Sequence, residues 1–76
     1  MALDVKSFGR RVAAARKVRG MSQEELAERS GVAASAITRY ETGDMMPGFG
    51  RVAAIADALG VTTDWLAGRG SVEEVR

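Results

Sequence analysis

The polar side chains best placed for hydrogen-bonding chemistry lie on one face of a helix predicted over residues 33–41. That face carries Ala34, Ser35, Thr38 and Arg39. A guanidinium donates through a rigid fork, hydroxyls both donate and accept, and a methyl makes only apolar contacts. The chemistry available is therefore recognition of a polar surface, because no nucleophile is paired with a base.

Composition narrows the classes of function further. The chain has 76 residues, no cysteine and no histidine, so it forms one domain that buries roughly 60% of its unfolded surface. Disulfides, the common zinc sites and Cys-His or Ser-His-Asp catalysis are excluded. We expect no enzymatic activity, no cofactor and no metal. No apolar run approaches the roughly 20 residues that span a bilayer, and no secretory signal is present, so we expect a cytoplasmic protein without a membrane partner.

The stretch from Gln23 to Thr42 predicts two short helices joined by a tight turn. The inner faces of these helices carry Leu26 and Ala27, then Val32, Ile37 and Tyr40. Ala27 is small enough for the second helix to cross closely, with Ile37 packed over it, and Gly31 can adopt the left-handed conformation that reverses the chain. This pattern, spanning residues 22–42, indicates a helix-turn-helix whose second helix is offered to the major groove of DNA. The alternative is an ordinary helical hairpin that binds nothing.

The outer face of that second helix would meet base edges. The fork of Arg39 can bond O6 and N7 of guanine together, while a phosphate contact is an equally good interpretation of this residue. Ser35 and Thr38 are adaptable donors and acceptors, and the methyl of Ala34 can contact a thymine methyl.

The N-terminus of the first helix of the helix-turn-helix, which follows Ser22, is suited to binding a phosphate. Ser22 and Glu25 form an S-x-x-E capping box, and the free N–H groups beyond it carry a partial positive charge. Gln23 can donate to the same phosphate, or it is merely an exposed first-turn residue. The predicted phosphate contacts are Gln23, Ser22, Arg10 and Thr42.

An N-terminal helix is predicted from about Asp4 to Arg19. Asp4 can cap it, and an inward stripe recurs at helical spacing: Val5, Phe8, Val12 and Ala15. Arg16 lies at the edge of that stripe. We predict that it pairs with Glu41 at the end of the second helix of the helix-turn-helix, the predicted recognition helix. The alternative is two solvated side chains whose attraction is worth under about 1 kcal/mol.

Charge is unevenly distributed although the net charge is only +1. Residues 1–20 hold six cations and one anion, 6 − 1 = +5; residues 21–30 hold one and three, 1 − 3 = −2; the remainder holds four and six, 4 − 6 = −2. A basic end could orient the molecule on a polyanion, or these charges are simply solvated.

The C-terminal half predicts a loop at residues 44–48 and two more helices. Met45 and Met46 either pack under the loop or form an exposed apolar contact. The fourth helix covers about Phe49 to Leu59, with the predicted inward residues Phe49, Val52, Ile55, Ala56 and Leu59. A fifth, capped by Thr62, places Trp65 and Leu66 inward or towards a partner. We take these two as a possible dimer contact, with a core position for Trp65 as the alternative, and residues 71–76 as a flexible tail after a domain of residues 1–70.

Taken together, the residues resemble a known family. MSQEELAERSGVAASAITRYETG, then Pro47, then VAAIADALGVTTDWLAG is similar to the DNA-binding domain of the Cro and phage-repressor (XRE-like) helix-turn-helix proteins, over about residues 7–68. The resemblance implies a compact all-α, five-helix bundle, and transcriptional control in the cytoplasm by a homodimer bound to double-stranded DNA at a two-fold operator. It also implies that Gln23 meets a phosphate, that the outer face of the recognition helix reads bases and that Arg16 bridges Glu41. Our leading hypothesis is therefore a sequence-specific DNA-binding regulator that acts as a repressor.

Several positions depart from the family pattern. Ala34 stands where a long polar residue is common, Thr42 where asparagine is common, and Asp44, Met45 and Met46 where a basic loop is common. Each departure removes a potential DNA contact, so specificity would rely on DNA shape and dimer geometry. They leave a second hypothesis open, namely an antitoxin or adaptor whose protein partner covers Met45, Met46 and Trp65.

Overall fold

Five α-helices make up the fold of the computed structural model, which describes residues 4–68. They are α1 (Val5–Val18), α2 (Gln23–Ser30), α3 (Ala34–Thr42), α4 (Phe49–Leu59) and α5 (Thr63–Leu66). No strand occurs in this described range, and the predicted all-α, five-helix class is confirmed. The predicted tail at residues 71–76 lies outside it.

Three of the five helices begin at capping side chains that the sequence predicted. Asp4, Ser22 and Thr62 each accept a hydrogen bond from a first-turn backbone N–H. The predicted start of α3 was one residue early, because Ala33 is extended and supplies no side-chain cap. Helix α3 also continues to Thr42, one residue beyond the predicted end, before Gly43 adopts a left-handed conformation.

The core is formed by one cluster of side chains from all five helices and the two connections α2–α3 and α4–α5. Helix α1 packs against α3, α4 and α5, while α2 packs against α3 and α4. The buried apolar residues are Phe8, Val12, Ala15, Leu26, Val32, Ile37, Tyr40, Ile55, Ala56, Leu59, Val61, Trp65 and Leu66. The helix-turn-helix is thus braced from behind by α1 and α4.

Helix α1 meets α3 at Gly9, a close approach that the sequence pattern does not predict. A Cβ built on Gly9 would clash with the carbonyl oxygen of Tyr40 and lie 2.9 Å from that of Glu41. Because these neighbours are backbone atoms, no rotamer change can relieve the contact. Gly9 therefore sets how closely α1 supports the recognition helix.

Phe49 contradicts the predicted inward stripe of α4, because 80% of its surface is exposed. It is the first residue of α4 and lies beyond the edge of the core, whereas Ile55 and Leu59, further along the helix, are fully buried. Helical periodicity gives the direction of a side chain but not where the core ends. Phe49 instead flanks a groove of about 340 Å³ that also contacts Met46, Pro47 and Val52.

Candidate nucleic-acid interface

The α2–turn–α3 unit has the geometry of a helix-turn-helix. Gly31 ends α2 in the left-handed region at φ 74° and ψ 16°, and its N–H bonds to the carbonyl of Ala27. Leu26, Val32 and Ile37 are buried behind the turn. The turn is anchored from the inside, so the outer face of α3 and the N-terminus of α2 remain at the surface.

The N-terminus of α2 carries the predicted capping box in full. Ser22 Oγ accepts from the Glu25 N–H at 3.0 Å, and Glu25 Oε1 accepts from the Ser22 N–H at 2.9 Å. The backbone N–H groups of Gln23 and Glu24 make no hydrogen bond within residues 4–68, so both are available to an acceptor outside the protein. The Ser22 hydroxyl, which accepts here, keeps its proton for the same purpose.

Arg16 and Glu41 form the predicted ion pair, and it is bidentate. Arg16 Nε lies 2.7 Å from Glu41 Oε2 and Nη2 lies 2.9 Å from Oε1, while Nη1 donates to the Met21 carbonyl at 2.8 Å. The side chains are only 12% and 8% exposed. The hydrogen bond to Glu41 raises the pKa of Arg16 above its ordinary value, so this guanidinium stays charged at any physiological pH.

Gln23 extends this pair into a network that joins α1, α2 and α3. Its Nε2 donates to Glu41 Oε1 at 3.0 Å, and its Oε1 accepts from Thr38 Oγ1 at 3.0 Å. The sequence predicts the ion pair but not these two bonds, since nothing in the spacing marks Gln23 as a partner of Glu41 or Thr38. The amide is therefore held in place before any phosphate arrives.

The outer face of α3 presents the predicted recognition residues together. Ser35, Thr38 and Arg39 are exposed and Ala34 is half-buried. No hydrogen bond or ion pair from residues 4–68 restrains the Arg39 guanidinium, so it is free for an external ligand. Thr42, also exposed, donates from Oγ1 to the Arg39 carbonyl at 3.1 Å, and it can donate to a phosphate only by giving up this bond.

Several cations of the basic N-terminal segment contact groups inside the protein. Fewer of them are therefore available to bind a polyanion than the sequence predicted. Arg16 is paired with Glu41. Arg19 donates to the carbonyls of Leu59 and Gly60 at 2.8 and 3.4 Å, which satisfies the end of α4. The guanidinium of Arg11 lies 5.2 Å from the centre of the Trp65 ring, a cation–π distance.

Three cations of this segment make no side-chain hydrogen bond, ion pair or ring contact within residues 4–68, namely Lys6, Arg10 and Lys17. All three are exposed. Lys6 passes close to the end of α3, since a Cβ built on Gly43 would lie 2.8 Å from its Cγ. The predicted phosphate contact from Arg10 remains available.

Trp65 and Leu66 lie in the core, only 6% and 0% exposed. Their surface is already covered by other residues of the same chain. This agrees with the alternative interpretation of Trp65 as a core residue, and it leaves little surface of this pair for a dimer contact. Of the two loop methionines, Met46 packs against the core and Met45 is 37% exposed. Met46 thus has the predicted packing role, and Met45 has the predicted exposed position.

Neither a metal centre nor a membrane span is found in the described part of the chain. Residues 4–68 contain no group of three or more acidic side chains that could hold a metal ion. None of their helices is long and apolar enough to cross a bilayer.

The fold and this surface define a helix-turn-helix domain. The family model described as Helix-turn-helix (HTH_3, XRE type) matches residues 12–66. The chain belongs to this family, whose members are DNA-binding transcription regulators rather than enzymes.

Individual relatives agree with the family match. The chain is 32% identical over 65 residues to the HTH-type transcriptional regulator YazB of Bacillus subtilis, covering 86% of this chain and 94% of YazB. It is 33% identical over 64 residues to the cryptic phage CTXphi transcriptional repressor RstR of Vibrio cholerae, covering 84% of this chain but 57% of RstR.

A solved structure supports the same assignment. The restriction-modification controller protein C.AhdI of Aeromonas hydrophila superposes with a TM-score of 0.80 at 31% identity, over 86% of this chain and 98% of C.AhdI. The protein is a helix-turn-helix transcriptional regulator of the XRE type.

Proposed function

We propose that this regulator is a sequence-specific repressor that binds a two-fold operator as a homodimer, with α3 in the major groove. The observation that carries the proposal is the juxtaposition of an unrestrained Arg39 on the outer face of α3 with a pre-positioned Gln23 at the start of α2. A cytoplasmic location belongs to the same proposal, because the ligand is genomic DNA. The similar protein RstR is a transcriptional repressor, which supports the direction of control.

Each predicted contact has a role in this proposal. The backbone amides of Gln23 and Glu24 and the side chain of Gln23 hold a phosphate at the N-terminus of α2. Further phosphate contacts come from Ser22, Arg10 and Thr42. Bases are read by Ala34, Ser35, Thr38 and Arg39, of which Arg39 offers the only fork able to bond guanine at two atoms.

The homodimer places two α3 helices about 34 Å apart, one turn of DNA. Since Trp65 and Leu66 are buried, we assign the contact between copies to the surface around Phe49. A phenylalanine that is 80% exposed beside an apolar groove is an unfavourable arrangement for an isolated chain in water. A second copy would cover it.

A binding selection tests the proposal. Genomic fragments or random duplexes are enriched on the protein at low salt, and the survivors are aligned. The proposal expects a palindromic site with half-sites centred about 10 base pairs apart. Failure to enrich any sequence over the starting pool would contradict it.

The second candidate is a protein-interaction module, an antitoxin or adaptor that retains the fold. The exposed Phe49 and the partly exposed Met45 favour it, because either side chain could be covered by a different protein rather than by a second copy. A stoichiometric protein partner, combined with DNA affinity no higher than background, would favour this candidate over the repressor.

A further inference from the structure

The hydrogen bonds that run from Arg16 to Thr38 have only one possible direction. A guanidinium can only donate, and the carboxylate of Glu41 that receives it can only accept. The third bond to this carboxylate, at 3.0 Å from Gln23, must therefore come from the amide nitrogen of Gln23. The ion pair thus sets which way the Gln23 side chain faces.

The orientation of Gln23 in turn determines the state of the Thr38 hydroxyl. With Nε2 directed at Glu41, the carbonyl oxygen of Gln23 faces Thr38, and an amide carbonyl can only accept. Thr38 Oγ1 lies 3.0 Å from that oxygen and 3.2 Å from the backbone carbonyl of Ala34. Both neighbours accept, so the hydroxyl proton of Thr38 is used inside the protein whichever of them receives it.

We infer that Thr38 reads DNA only as a hydrogen-bond acceptor. Its exposed lone pair can receive a bond from the N6 amino group of adenine or the N4 amino group of cytosine. It cannot donate to N7 or O6 of guanine or to O4 of thymine. This inference rests on the proposed function, in which α3 lies in the major groove.

Thr38 therefore differs from its neighbour Ser35 in what it can recognise. Ser35 makes no side-chain hydrogen bond within residues 4–68, so its hydroxyl can still donate or accept. On this inference Ser35 remains the adaptable donor and acceptor that the sequence predicted, whereas Thr38 does not. By the same chain of bonds, Gln23 keeps one Nε2–H free, which suits it to a phosphate oxygen.

The test uses the intact protein and the operator obtained by selection. Thr38→Val removes the hydroxyl while keeping the shape, and repeating the selection with this variant identifies the base pair whose preference depends on Thr38. At that base pair the amino group is removed, by purine in place of adenine or by 2-pyrimidinone in place of cytosine. A separate duplex removes the acceptor N7 with a 7-deazapurine.

The expected result is a loss of wild-type affinity of roughly two- to tenfold when the amino group is removed, the usual net effect of one hydrogen bond. Thr38→Val should bind the two duplexes equally, whereas Thr38→Ser, which keeps the hydroxyl, should retain the discrimination. Removal of N7 should affect wild type and Thr38→Val by the same factor. Because Thr38 is exposed, circular dichroism should show all variants folded.

Two results would overturn the inference and leave the repressor proposal intact. One is a loss on removing N7 that occurs in wild type but not in Thr38→Val, because it would mean that Thr38 donates. The other is a Thr38→Val selection with no change of preference at any position, because Thr38 would then read no base. If wild type enriches no sequence at all, the proposed function itself fails.

Discussion

Gln23 Nε2 donates to Glu41 Oε1 at 3.0 Å, across the whole helix-turn-helix, and the same oxygen accepts from Arg16 Nη2 at 2.9 Å. One carboxylate thus holds α1, the start of α2 and the end of α3 together. The side chain proposed to contact a phosphate shares its acceptor with the ion pair that supports the fold. Substitution of Glu41 should therefore affect both the stability of the fold and DNA binding.

Glu41→Ala should lower the free energy of unfolding by about 3 kcal/mol, because it leaves the nearly buried guanidinium of Arg16 without its partner. Urea denaturation of wild type and variant measures this difference. The double variant Arg16→Met/Glu41→Leu is the control. It removes both charges, so it should recover most of the loss.

A double variant no more stable than Glu41→Ala would contradict this account of the pair. On DNA, the double variant should still bind less tightly than wild type even where its stability has recovered, because a leucine side chain cannot accept a hydrogen bond from the Gln23 amide. Equal affinity would show that the orientation of Gln23 has no role in binding.

The contribution of Arg16 should not change between pH 7 and pH 9. A pKa raised on folding stabilises the folded state fully below the pKa of an unfolded arginine, which lies far above pH 9. The stabilisation is lost only as the pH rises through the still higher folded value. The difference in unfolding free energy between wild type and Arg16→Met is the quantity to measure. A difference that shrinks markedly by pH 9 would mean that Arg16 is not held as described.

Gly9→Ala should destabilise the fold by about 1–3 kcal/mol, because the new methyl overlaps backbone carbonyls of α3. Helix propensity alone would give the opposite sign, since alanine is favoured over glycine by about 1 kcal/mol. Gly50→Ala is the matched control: it is also helical, and a Cβ there meets nothing within 4 Å. Thermal denaturation should lower the midpoint for Gly9→Ala and leave it equal or higher for Gly50→Ala. The same direction of change in both would exclude a close approach at Gly9.

Local features of this fold could be predicted from sequence because each depends on a few neighbouring residues. The caps at Asp4, Ser22 and Thr62 and the turn at Gly31 follow from side-chain and backbone geometry within four residues. The Arg16–Glu41 pair, although distant in sequence, was accessible through the resemblance to a known family.

Features set by the relative position of helices could not be predicted in this way. The exposure of Phe49 depends on where the core ends, and the role of Gly9 depends on how closely α1 approaches α3. The bonds of Gln23 to Glu41 and Thr38 form only because α2 and α3 cross closely enough to bring these side chains within hydrogen-bond distance. Composition also overestimated the free positive charge, because Arg11, Arg16 and Arg19 contact groups inside the protein.

Arg39→Ala should weaken binding to the selected operator by about 1–3 kcal/mol if Arg39 bonds a guanine at two atoms, and should have little effect on unrelated DNA. Its guanidinium makes no bond within residues 4–68, so stability should not change. Fluorescence anisotropy with operator and scrambled duplexes measures both affinities. Arg29→Ala, an exposed arginine in the last turn of α2, is the control for loss of charge. An equal loss on all sequences would instead identify Arg39 as a phosphate contact.

Phe49→Ala should shift the protein from dimer to monomer without lowering the stability of the folded chain, because the ring contributes little to the core. Sedimentation velocity over a range of concentrations measures the association. Val18→Ala, which truncates another exposed apolar side chain, should leave it unchanged. An unchanged dimer in Phe49→Ala would place the contact between copies elsewhere.

The most direct test of the central claim is the salt dependence of binding to the selected operator. If each dimer neutralises about four to six phosphates, a plot of log K against log salt should fall with a slope near −4 to −5. The operator should also remain preferred over a scrambled duplex at every salt concentration. A slope near zero, or equal affinity for the two duplexes, would contradict the account of this surface as a sequence-reading interface for DNA.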